Sequence, residues 1–451
     1  MAGTAHMLED TVTALVEQKK YATLKDILIT MNAVDIAALF SEIPAEKLPL
    51  LFRLLPKELA ADTFVEMDSD AQQLIIRGFS DVELRAVLDE LYMDDAVDII
   101  EEMPANVVKR ILRQASPEMR KMINELLQYP EDSAGSIMTT EFVDLRPEMT
   151  VEEAIEHIRH TGVDKETINT CYVTAPDRKL IGMITIRTLI LARVDERLEA
   201  IMEPNVISVS TLEDQETVAQ MLSKYDFLSM PVVDGENRLV GIVTVDDAMD
   251  VIEEEATEDI AKMAAITPVG KPYLKTSPEE LWKSRIPWLL LMMVSATFTS
   301  MIIRHFEAAL AAQVALTAFI PMLMGTGGNA GSQTSATVIR ALSIGDVKLS
   351  DVLRVVLKEA RVAVLCGCTL AVLNFVKLLV FDRVSVMVSA VVSITMALTV
   401  LFAKLAGAAL PMLAKKLGFD PAVVASPFLT TIVDTMSLLI YFLMAGLLLG
   451  V

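Results

Sequence analysis

The second half of this sequence contains apolar segments long enough to cross a lipid bilayer, and no other feature constrains the fold as strongly. A spanning helix needs about 20 consecutive apolar residues, and we identify five candidate segments from Ile286 onward. They cover residues 286–303, from near 308 toward 341, 362–381, 386–413 and 423–449. Short charged loops separate them, which argues against buried helices of a soluble protein. The sequence therefore predicts an all-α transmembrane domain with five helices over residues 281–451.

Charge divides the chain at the same place. Of its 61 acidic and 39 basic residues, 7 and 13 lie in residues 281–451, so residues 1–280 hold the remaining 54 and 26. An acidic surface of this kind repels nucleic acid and attracts cations. Basic residues concentrate in the loops on the same side as the N-terminal half, which is typical of the cytoplasmic side. We expect a multi-pass plasma-membrane protein with cytoplasmic N-terminal domains, whose partners are lipid and divalent cations and not nucleic acid.

A carboxylate interrupts the last apolar segment. Asp434 stands within PFLTTIVDTMSLLIYF, where no basic residue of the same segment can pair with it. A carboxylate at that depth costs about 3 kcal/mol or more unless it faces water or a partner. It is either a hydrogen-bonded structural residue or a cation site in a pore, and we favour the cation site.

The second apolar segment contains the glycine-rich stretch GTGGNAGSQT, from Gly325 to Thr334. We expect the glycines to loosen the helix after Pro321, because irregular backbone at this depth is tolerated where it lines a water-filled cavity. Free carbonyl groups, with Asn329, Gln333 and Thr334, would then face hydrated ions. Tight packing of helices through small residues is the alternative interpretation.

The acidic half contains two kinds of repeat. Within residues 8–130 the segments LFSEIP, LFRLLP and DIIEEMP end successive helical patterns, which predicts an acidic α-helical solenoid. A clearer repeat covers residues 131–200 and 201–246. Each copy has the pattern of a strand, a helix, two strands and a closing helix. This order resembles a tandem of cystathionine β-synthase (CBS) domains, which implies an α/β fold and an adenosine-nucleotide site.

The second of these repeats carries the pattern that bears on nucleotide binding. Its segment GIVTVDD resembles the ribose-contacting pattern of CBS domains, with Thr244 and Asp247 at the contacting positions. The resemblance implies ATP as the candidate cofactor there. The first repeat departs from the pattern, because Thr188 stands where the acidic residue would be.

Acidic residues crowd the predicted connecting helix and linker, residues 247–280. Asp247, Asp250 and Glu254 share one helix face, and like charges at this spacing weaken a helix unless cations neutralise them. Residues 94–102 and 214–226 hold further acidic sets. Carboxylates and water suit the hard cations Mg²⁺ and Ca²⁺. A solvated helix face is the alternative for any one of these sets.

Taken in order, these parts resemble the MgtE family of magnesium channels. The most specific segments are PMLMGTGGNAGSQTSATVIRAL, DPAVVASPFLTTIVDTMSLLIYF and VDDAMDVIEEEATEDI. The resemblance implies a homodimer with one pore on its two-fold axis, lined by the second and fifth spans. Asp434 of each subunit would bind a hydrated Mg²⁺, together with backbone carbonyls near Gly325 and Gly328 and with Asn329.

The resemblance also implies regulatory metal positions in the acidic half. They are Asp94, Asp98, Glu216, Asp226, Asp247, Asp250, Glu255, Glu258 and Asp259. The expected function is a Mg²⁺-selective channel for uptake, closed by cytosolic Mg²⁺. One alternative is a secondary divalent-cation transporter coupled to a proton or sodium gradient, and another is a membrane signalling protein that transports nothing. We find no nucleophile–base pair and no Walker motif, so we do not expect an enzyme.

Overall fold

The computed structural model describes residues 11–12, 14–271, 273–425 and 427–450. Within them the chain forms two compact units, which divide between Ile252 and Glu253. Outside the described residues lie residues 8–10 and 13 of the predicted N-domain, Pro272 of the predicted linker, Ser426 of the predicted fifth span and Val451 of the predicted transmembrane domain.

Short helices build the N-terminal part of the first unit, as the first repeat predicts. They are α1 (Tyr21–Leu28), α2 (Ala33–Ser41), α3 (Leu48–Phe52), α4 (Lys57–Val65), α5 (Ser69–Gly78), α6 (Asp81–Leu88), α7 (Met93–Glu102), α8 (Ala105–Gln114) and α9 (Pro117–Leu126). Pro56 and Pro104 directly precede α4 and α8, and Pro117 opens α9, because proline fits the first turn of a helix but not its interior. Ser80 and Glu83 form a capping box at the start of α6.

Two α/β repeats complete the first unit in the predicted element order. The first contains β1 (Asp144–Leu145), α10 (Val151–Thr161), β2 (Thr170–Thr174), β3 (Leu180–Thr185) and α11 (Ile186–Leu191). After α12 (Leu198–Ile201), the second contains β4 (Val209–Ser210), α13 (Gln215–Tyr225), β5 (Ser229–Val233), β6 (Leu239–Thr244) and α14 (Val245–Met263). In each three-stranded sheet the first strand pairs in parallel with the second, and the second pairs antiparallel with the third. The closing helix of the second repeat and the acidic connecting helix are thus one element, α14.

Long helices dominate the second unit. They are α15 (Pro278–His305), α17 (Ile320–Ser343), α18 (Val352–Val380), α19 (Val386–Lys416) and α21 (Pro427–Leu449), with the short helices α16 (Glu307–Ala312) and α20 (Pro421–Ala425) between them. In the described ranges, four helices are long and apolar enough to cross a membrane, and α17 is not one of them. Its 24 residues span about 36 Å, which exceeds the hydrocarbon core of about 30 Å. The five-span topology therefore stays a prediction.

Two expectations about the apolar segments are wrong. The second segment is not one continuous helix from near Ala308 onward, because the separate helix α16 and a 3₁₀ helix over Val314–Phe319 precede α17. The third helix begins ten residues before the predicted residue 362, so its charged first turns belong to the helix and not to a loop. Charged residues in the first turns of a long helix hide its start from a search for apolar runs.

The predicted loosening of the glycine-rich segment is also wrong. Gly325 to Thr334 forms continuous α-helix within α17. Glycine lowers helix stability by about 1 kcal/mol per residue relative to alanine, so packing against other helices must compensate.

Candidate metal sites

Helix α17 approaches α19 and α21 closely at two glycines. A Cβ atom added to Gly327 would lie 2.7 Å from Thr399 Cγ2 and 2.9 Å from Val433 Cγ1, and one added to Gly407 would lie 2.5 Å from the backbone oxygen of Gly331. A side chain cannot be accommodated at such distances, and small residues are what allow membrane helices to approach closely. The alternative interpretation of the glycine-rich segment, tight helix packing, therefore holds for Gly327 and Gly331.

Two other glycines of α17 face away from these contacts. A Cβ atom added to Gly325 or Gly328 would have no atom within 4 Å, and Asn329 is exposed beside them. Ser332 and Gln333 are exposed as well. We call this surface the open face of α17. In lipid, uncovered polar groups are costly, so such a face requires water or another protein surface against it.

The carbonyl groups of the open face belong to a regular helix, so they are not the free carbonyl groups that the sequence predicts. In a regular helix each carbonyl oxygen already accepts one intrahelical hydrogen bond. A carbonyl oxygen has two lone pairs, so the second remains available to the water shell of an ion. The predicted contribution of Gly325 and Gly328 thus remains chemically possible in a helical backbone.

Asp434 lies on the helix that packs beside α17. It is partly buried in α21 and directly follows Val433, the residue that contacts Gly327. The predicted pore residues Gly325, Gly328 and Asn329 lie within one turn of Gly327 on α17. The structure therefore brings the two predicted pore segments onto adjacent helices at the same level.

Thr334 does not face the open side of α17. It is 2% exposed, and its hydroxyl donates a hydrogen bond to Glu359 Oε2 at 3.0 Å and accepts one from Lys404 Nζ at 3.1 Å. The expectation that Thr334 faces hydrated ions is wrong. The sequence alone assigned no role to Lys404 or Glu359. Their partners are each other and Thr334, which are distant in the chain, so no local pattern marks them.

A cluster of carboxylates lies in the first unit, where α7 and the start of α14 contribute most of its members. Burial raises the pKa of Asp94, and the nearby carboxylate of Asp247 raises it further. Desolvation, with a smaller contribution from Asp247, raises the pKa of Asp95 to about 7. Asp98 is exposed on α7, yet desolvation by nearby protein atoms, reinforced by Asp95, raises its pKa to about 7. We call Asp94, Asp95, Asp98, Glu166 and Asp247 the acidic cluster.

Glu166 is a member that sequence reasoning missed. It lies in the loop before β2, and burial and the charges of Asp95 and Asp247 raise its pKa to about 8. Its Oε2 atom is buried and has no hydrogen-bond partner among the described residues. No local pattern marks this residue, because its acidic neighbours come from other parts of the chain. An orphaned carboxylate oxygen inside an acidic cluster is suited to a cation or to its water ligands.

Other predicted regulatory residues are not brought together within the first unit. Asp214 caps the start of α13 by accepting hydrogen bonds from the backbone N–H groups of Glu216 and Thr217. Asp226 ends the same helix in a left-handed conformation. Glu216 and Asp226 are therefore separated by the length of α13, about 15 Å at 1.5 Å per residue. Asp250 is exposed on α14.

In the second unit, Glu255, Glu258 and Asp259 are partly buried on the C-terminal part of α14. Lys262 binds two carboxylates there, with its Nζ atom 2.5 Å from Glu258 Oε1 and 2.7 Å from Asp420 Oδ2. Glu258 thus already has a basic partner within the chain. In the described ranges, no three His, Cys, Asp or Glu side chains are arranged to hold a metal ion directly.

The candidate nucleotide residues form a local hydrogen-bonded pair. The Thr244 hydroxyl and backbone N–H group both donate to Asp247 Oδ2. In the first repeat, the Thr185 and Thr188 hydroxyls take the same positions, 2.9 Å apart. Burial raises the pKa of Asp247, although the hydrogen bond from Thr244 opposes that effect. Asp247 belongs both to the predicted nucleotide pair and to the acidic cluster.

These features define a class of protein. A helical membrane unit with a polar helix face and an intramembrane carboxylate follows soluble acidic and CBS-like domains, as in a multi-pass cation-transport protein. The family model for divalent cation transporters of the MgtE type matches residues 320–444. The model for the MgtE intracellular N domain matches residues 31–132, and the CBS domain model matches residues 134–195 and 198–254.

Curated relatives match over nearly the whole chain. The magnesium transporter MgtE of Thermus thermophilus is 40% identical over 430 residues, which cover 94% of this chain and 95% of that protein. The magnesium transporter MgtE of Bacillus subtilis is 32% identical over 435 residues, which cover 96% and 95%. The chain belongs to the MgtE family.

Two solved structures resemble the soluble domains. The cytosolic domain of the Mg²⁺ channel MgtE in complex with ATP is 36% identical, with a TM-score of 0.52, over 54% of this chain and 99% of that one. The soluble part of a magnesium transporter is 30% identical, with a TM-score of 0.52, over 56% and 99%.

Proposed function

We propose that this protein is a magnesium-selective channel that mediates Mg²⁺ uptake across the cytoplasmic membrane and closes when cytosolic Mg²⁺ binds its acidic domains. The observation that carries the proposal is the open face of α17 beside the helix that holds Asp434. A polar surface and a carboxylate at membrane depth are tolerated where they line a water-filled path.

A second copy of the chain completes this path. The open face is one side of a helix, so a single chain leaves it uncovered toward the membrane. Two copies related by a two-fold axis would bring two such faces together, with an Asp434 carboxylate from each. This arrangement supports a homodimer with one axial pore.

The chemistry of the path favours an ion that keeps its water shell. Mg²⁺ dehydrates reluctantly and usually retains several waters. The described residues offer a carboxylate, an amide and helical carbonyl groups there, and no cage of protein ligands. Such groups would hold a hydrated ion by hydrogen bonds to its waters.

Regulation would act through the acidic cluster. Two unit charges 4 Å apart interact by about 4 kcal/mol at an effective dielectric constant of 20, and a few kcal/mol suffice to shift a two-state equilibrium. Mg²⁺ would relieve this repulsion and favour the arrangement that gathers Asp94, Asp98 and Asp247. Helix α14 runs from Val245 to Met263 and contains both Asp247 and Asp259, so one element carries both halves of the predicted sensor.

ATP is a second candidate ligand of the soluble domains. A structural relative of these domains was solved in complex with ATP, and Thr244 and Asp247 occupy the ribose-contacting positions of the pattern. Because Asp247 also belongs to the acidic cluster, we expect ATP binding and cation binding to influence each other.

Mg²⁺ uptake into proteoliposomes tests the transport proposal. We expect wild-type uptake to persist without a proton or sodium gradient, and Asp434→Ala to lower it on the order of 100-fold, which corresponds to about 3 kcal/mol. Asp382→Asn is the matched control, because it removes an exposed carboxylate that pairs with Lys377. Uptake that requires a gradient would identify a secondary transporter, and no wild-type uptake would identify a sensor without transport.

A further inference from the structure

Three polar side chains from three helices meet inside the membrane unit. The Thr334 hydroxyl of α17 is 3.0 Å from Glu359 Oε2 of α18 and 3.1 Å from Lys404 Nζ of α19. The Lys404 and Glu359 charges are 4.0 Å apart, and their side chains are 7% and 16% exposed. We call these three residues the buried triad.

Stability alone does not account for charges at this place. Ionised groups that leave water must recover their hydration from a partner and from hydrogen bonds, and apolar residues of similar volume often hold helices equally well or better. Other ionic contacts of this unit are more exposed, such as that of Lys377 with Asp382 at the end of α18. Lys404 lies within the apolar segment predicted over residues 386–413, and ionisable residues inside such segments more often serve function.

The triad holds the side of α17 that lies opposite the open face. Thr334 follows Gly325 by nine residues and Asn329 by five, which is about 180° and about 140° around a helix. A rotation of α17 about its axis would therefore move the triad and the open face together.

Beside the triad, the backbones of α17 and α19 approach each other closely. A Cβ atom on Gly331 would lie 3.3 Å from the Ala403 oxygen, and one on Gly407 would lie 2.5 Å from the Gly331 oxygen. Lys404 lies between Ala403 and Gly407 on α19. These contacts set the distance between the two backbones, whereas hydrogen bonds also depend on direction. The triad supplies the directional contact at this point.

We propose that Lys404 and Glu359 are positioning residues for ion conduction. Through the Thr334 hydroxyl they fix the rotation of α17, and so the direction in which Asn329 and the carbonyl groups of Gly325 and Gly328 face. This inference rests on the proposed channel function, and it assigns to the triad a role in conduction rather than in cation sensing.

The test uses the whole chain in proteoliposomes and two measurements. The first is Mg²⁺ conductance of Lys404→Met, Thr334→Val and Thr334→Ser. The second is the rate at which a charged thiol reagent labels Ser332→Cys and Ser335→Cys, in a background whose three native cysteines are replaced by alanine. Ser332 is exposed and Ser335 is 1% exposed, so their labelling ratio reports the rotation of α17.

Matched controls make the same chemical changes outside the triad. Lys377→Met removes an exposed ammonium, and Thr369→Val removes a hydroxyl that bonds only to its own helix. We expect Lys404→Met and Thr334→Val to lower conductance at least about tenfold, as misplaced binding groups do, and to shift labelling from position 332 toward position 335. Thr334→Ser keeps the hydroxyl and should resemble the wild type, as should both controls.

The double variant Lys404→Met/Glu359→Gln removes both charges. It provides a second test if Lys404→Met alone misfolds because Glu359 is left without its partner. If it folds and shows wild-type conductance and labelling, the proposal is overturned, because the two charges then only neutralise each other. The same result for a folded Lys404→Met protein would overturn it as well. Absence of Mg²⁺ current in the wild type would overturn the channel function, while the labelling ratio would still test the rotation of α17.

Discussion

The carboxylate of Glu166 has a buried oxygen for which the described residues provide no hydrogen-bond partner. Its pKa rises from 4.5 to about 8, first through burial and then through the neighbouring acids. At pH 7 this side chain destabilises the metal-free fold, because the folded state must either hold a proton or bury a charge. Glutamine has nearly the same shape without the charge.

We therefore expect Glu166→Gln to stabilise the soluble domains in the absence of divalent cations by about 1 to 3 kcal/mol. Urea denaturation of a fragment that ends after Met263 measures this change, and the corresponding part of two relatives has been solved on its own. Asp177→Asn is the matched control, because Asp177 pairs with Lys179 on an exposed turn. A loss of stability in Glu166→Gln would show that the carboxylate has a stabilising partner.

The acidic cluster also predicts how stability depends on pH. The folded-state pKa values of Asp95 and Asp98 are about 7, raised from 3.8, so the folded state binds more protons than the unfolded state between these values. Stability should therefore fall as pH rises from about 4 to about 8. Urea denaturation midpoints of the metal-free fragment, measured at about pH 5, 6, 7 and 8, test this pH dependence.

The variant Asp95→Asn/Asp98→Asn/Glu166→Gln should show a much flatter pH dependence than the wild type. A wild-type fragment whose stability rises toward pH 8 would contradict the account, because it would require carboxylates that are stabilised when charged.

Among the elements, helix α17 depends on its neighbours for its continuity. It contains glycines at positions that destabilise a helix in isolation, yet it is continuous because α19 and α21 approach its backbone. We expect Gly407→Ala to lower the melting temperature and the yield of folded protein, since its Cβ atom would lie 2.5 Å from the Gly331 oxygen. The expected loss is about 1 to 3 kcal/mol, as for other overpacked sites.

Gly325→Ala, on α17, is the control for Gly407→Ala, because it makes the same substitution on a helix of the same unit. Its Cβ atom would meet no atom within 4 Å, so this variant should melt at or above the wild-type temperature in thermal scans in detergent. Equal melting of the two variants would argue against the close approach of α17 and α19.

At the scale of elements, the sequence predicted most of what the structure contains. Alternating short helices, the two β-α-β-β-α repeats and the long apolar helices follow from local patterns. The continuity of α17 could not be predicted from local patterns. Its glycine content is a local property, whereas the contacts of Gly327 and Gly331 come from helices that are distant in the chain. The start of α18 was missed because its first turns are charged.

For the whole molecule, the division into an acidic soluble part and an apolar part was visible in the charge distribution. The sequence did not reveal which carboxylates lie close together, because Asp94, Glu166 and Asp247 are brought together only by the fold. The runs of acids that sequence reasoning favoured have mixed outcomes. Asp94, Asp98 and Asp247 cluster, whereas Glu216 and Asp226 lie at opposite ends of α13.

The central claim is that Mg²⁺ bound at the acidic cluster closes a pore that contains Asp434. The most direct test records Mg²⁺ current through the reconstituted protein while Mg²⁺ on the side of the soluble domains is raised stepwise. It compares the wild type with Asp94→Asn/Asp98→Asn/Asp247→Asn and, as control, with Asp144→Asn, which changes a half-exposed acid beside Arg146. The account predicts that current in the wild type and the control shuts off as Mg²⁺ rises, while the triple variant stays open. Closure of the triple variant at the wild-type Mg²⁺ concentration would contradict it.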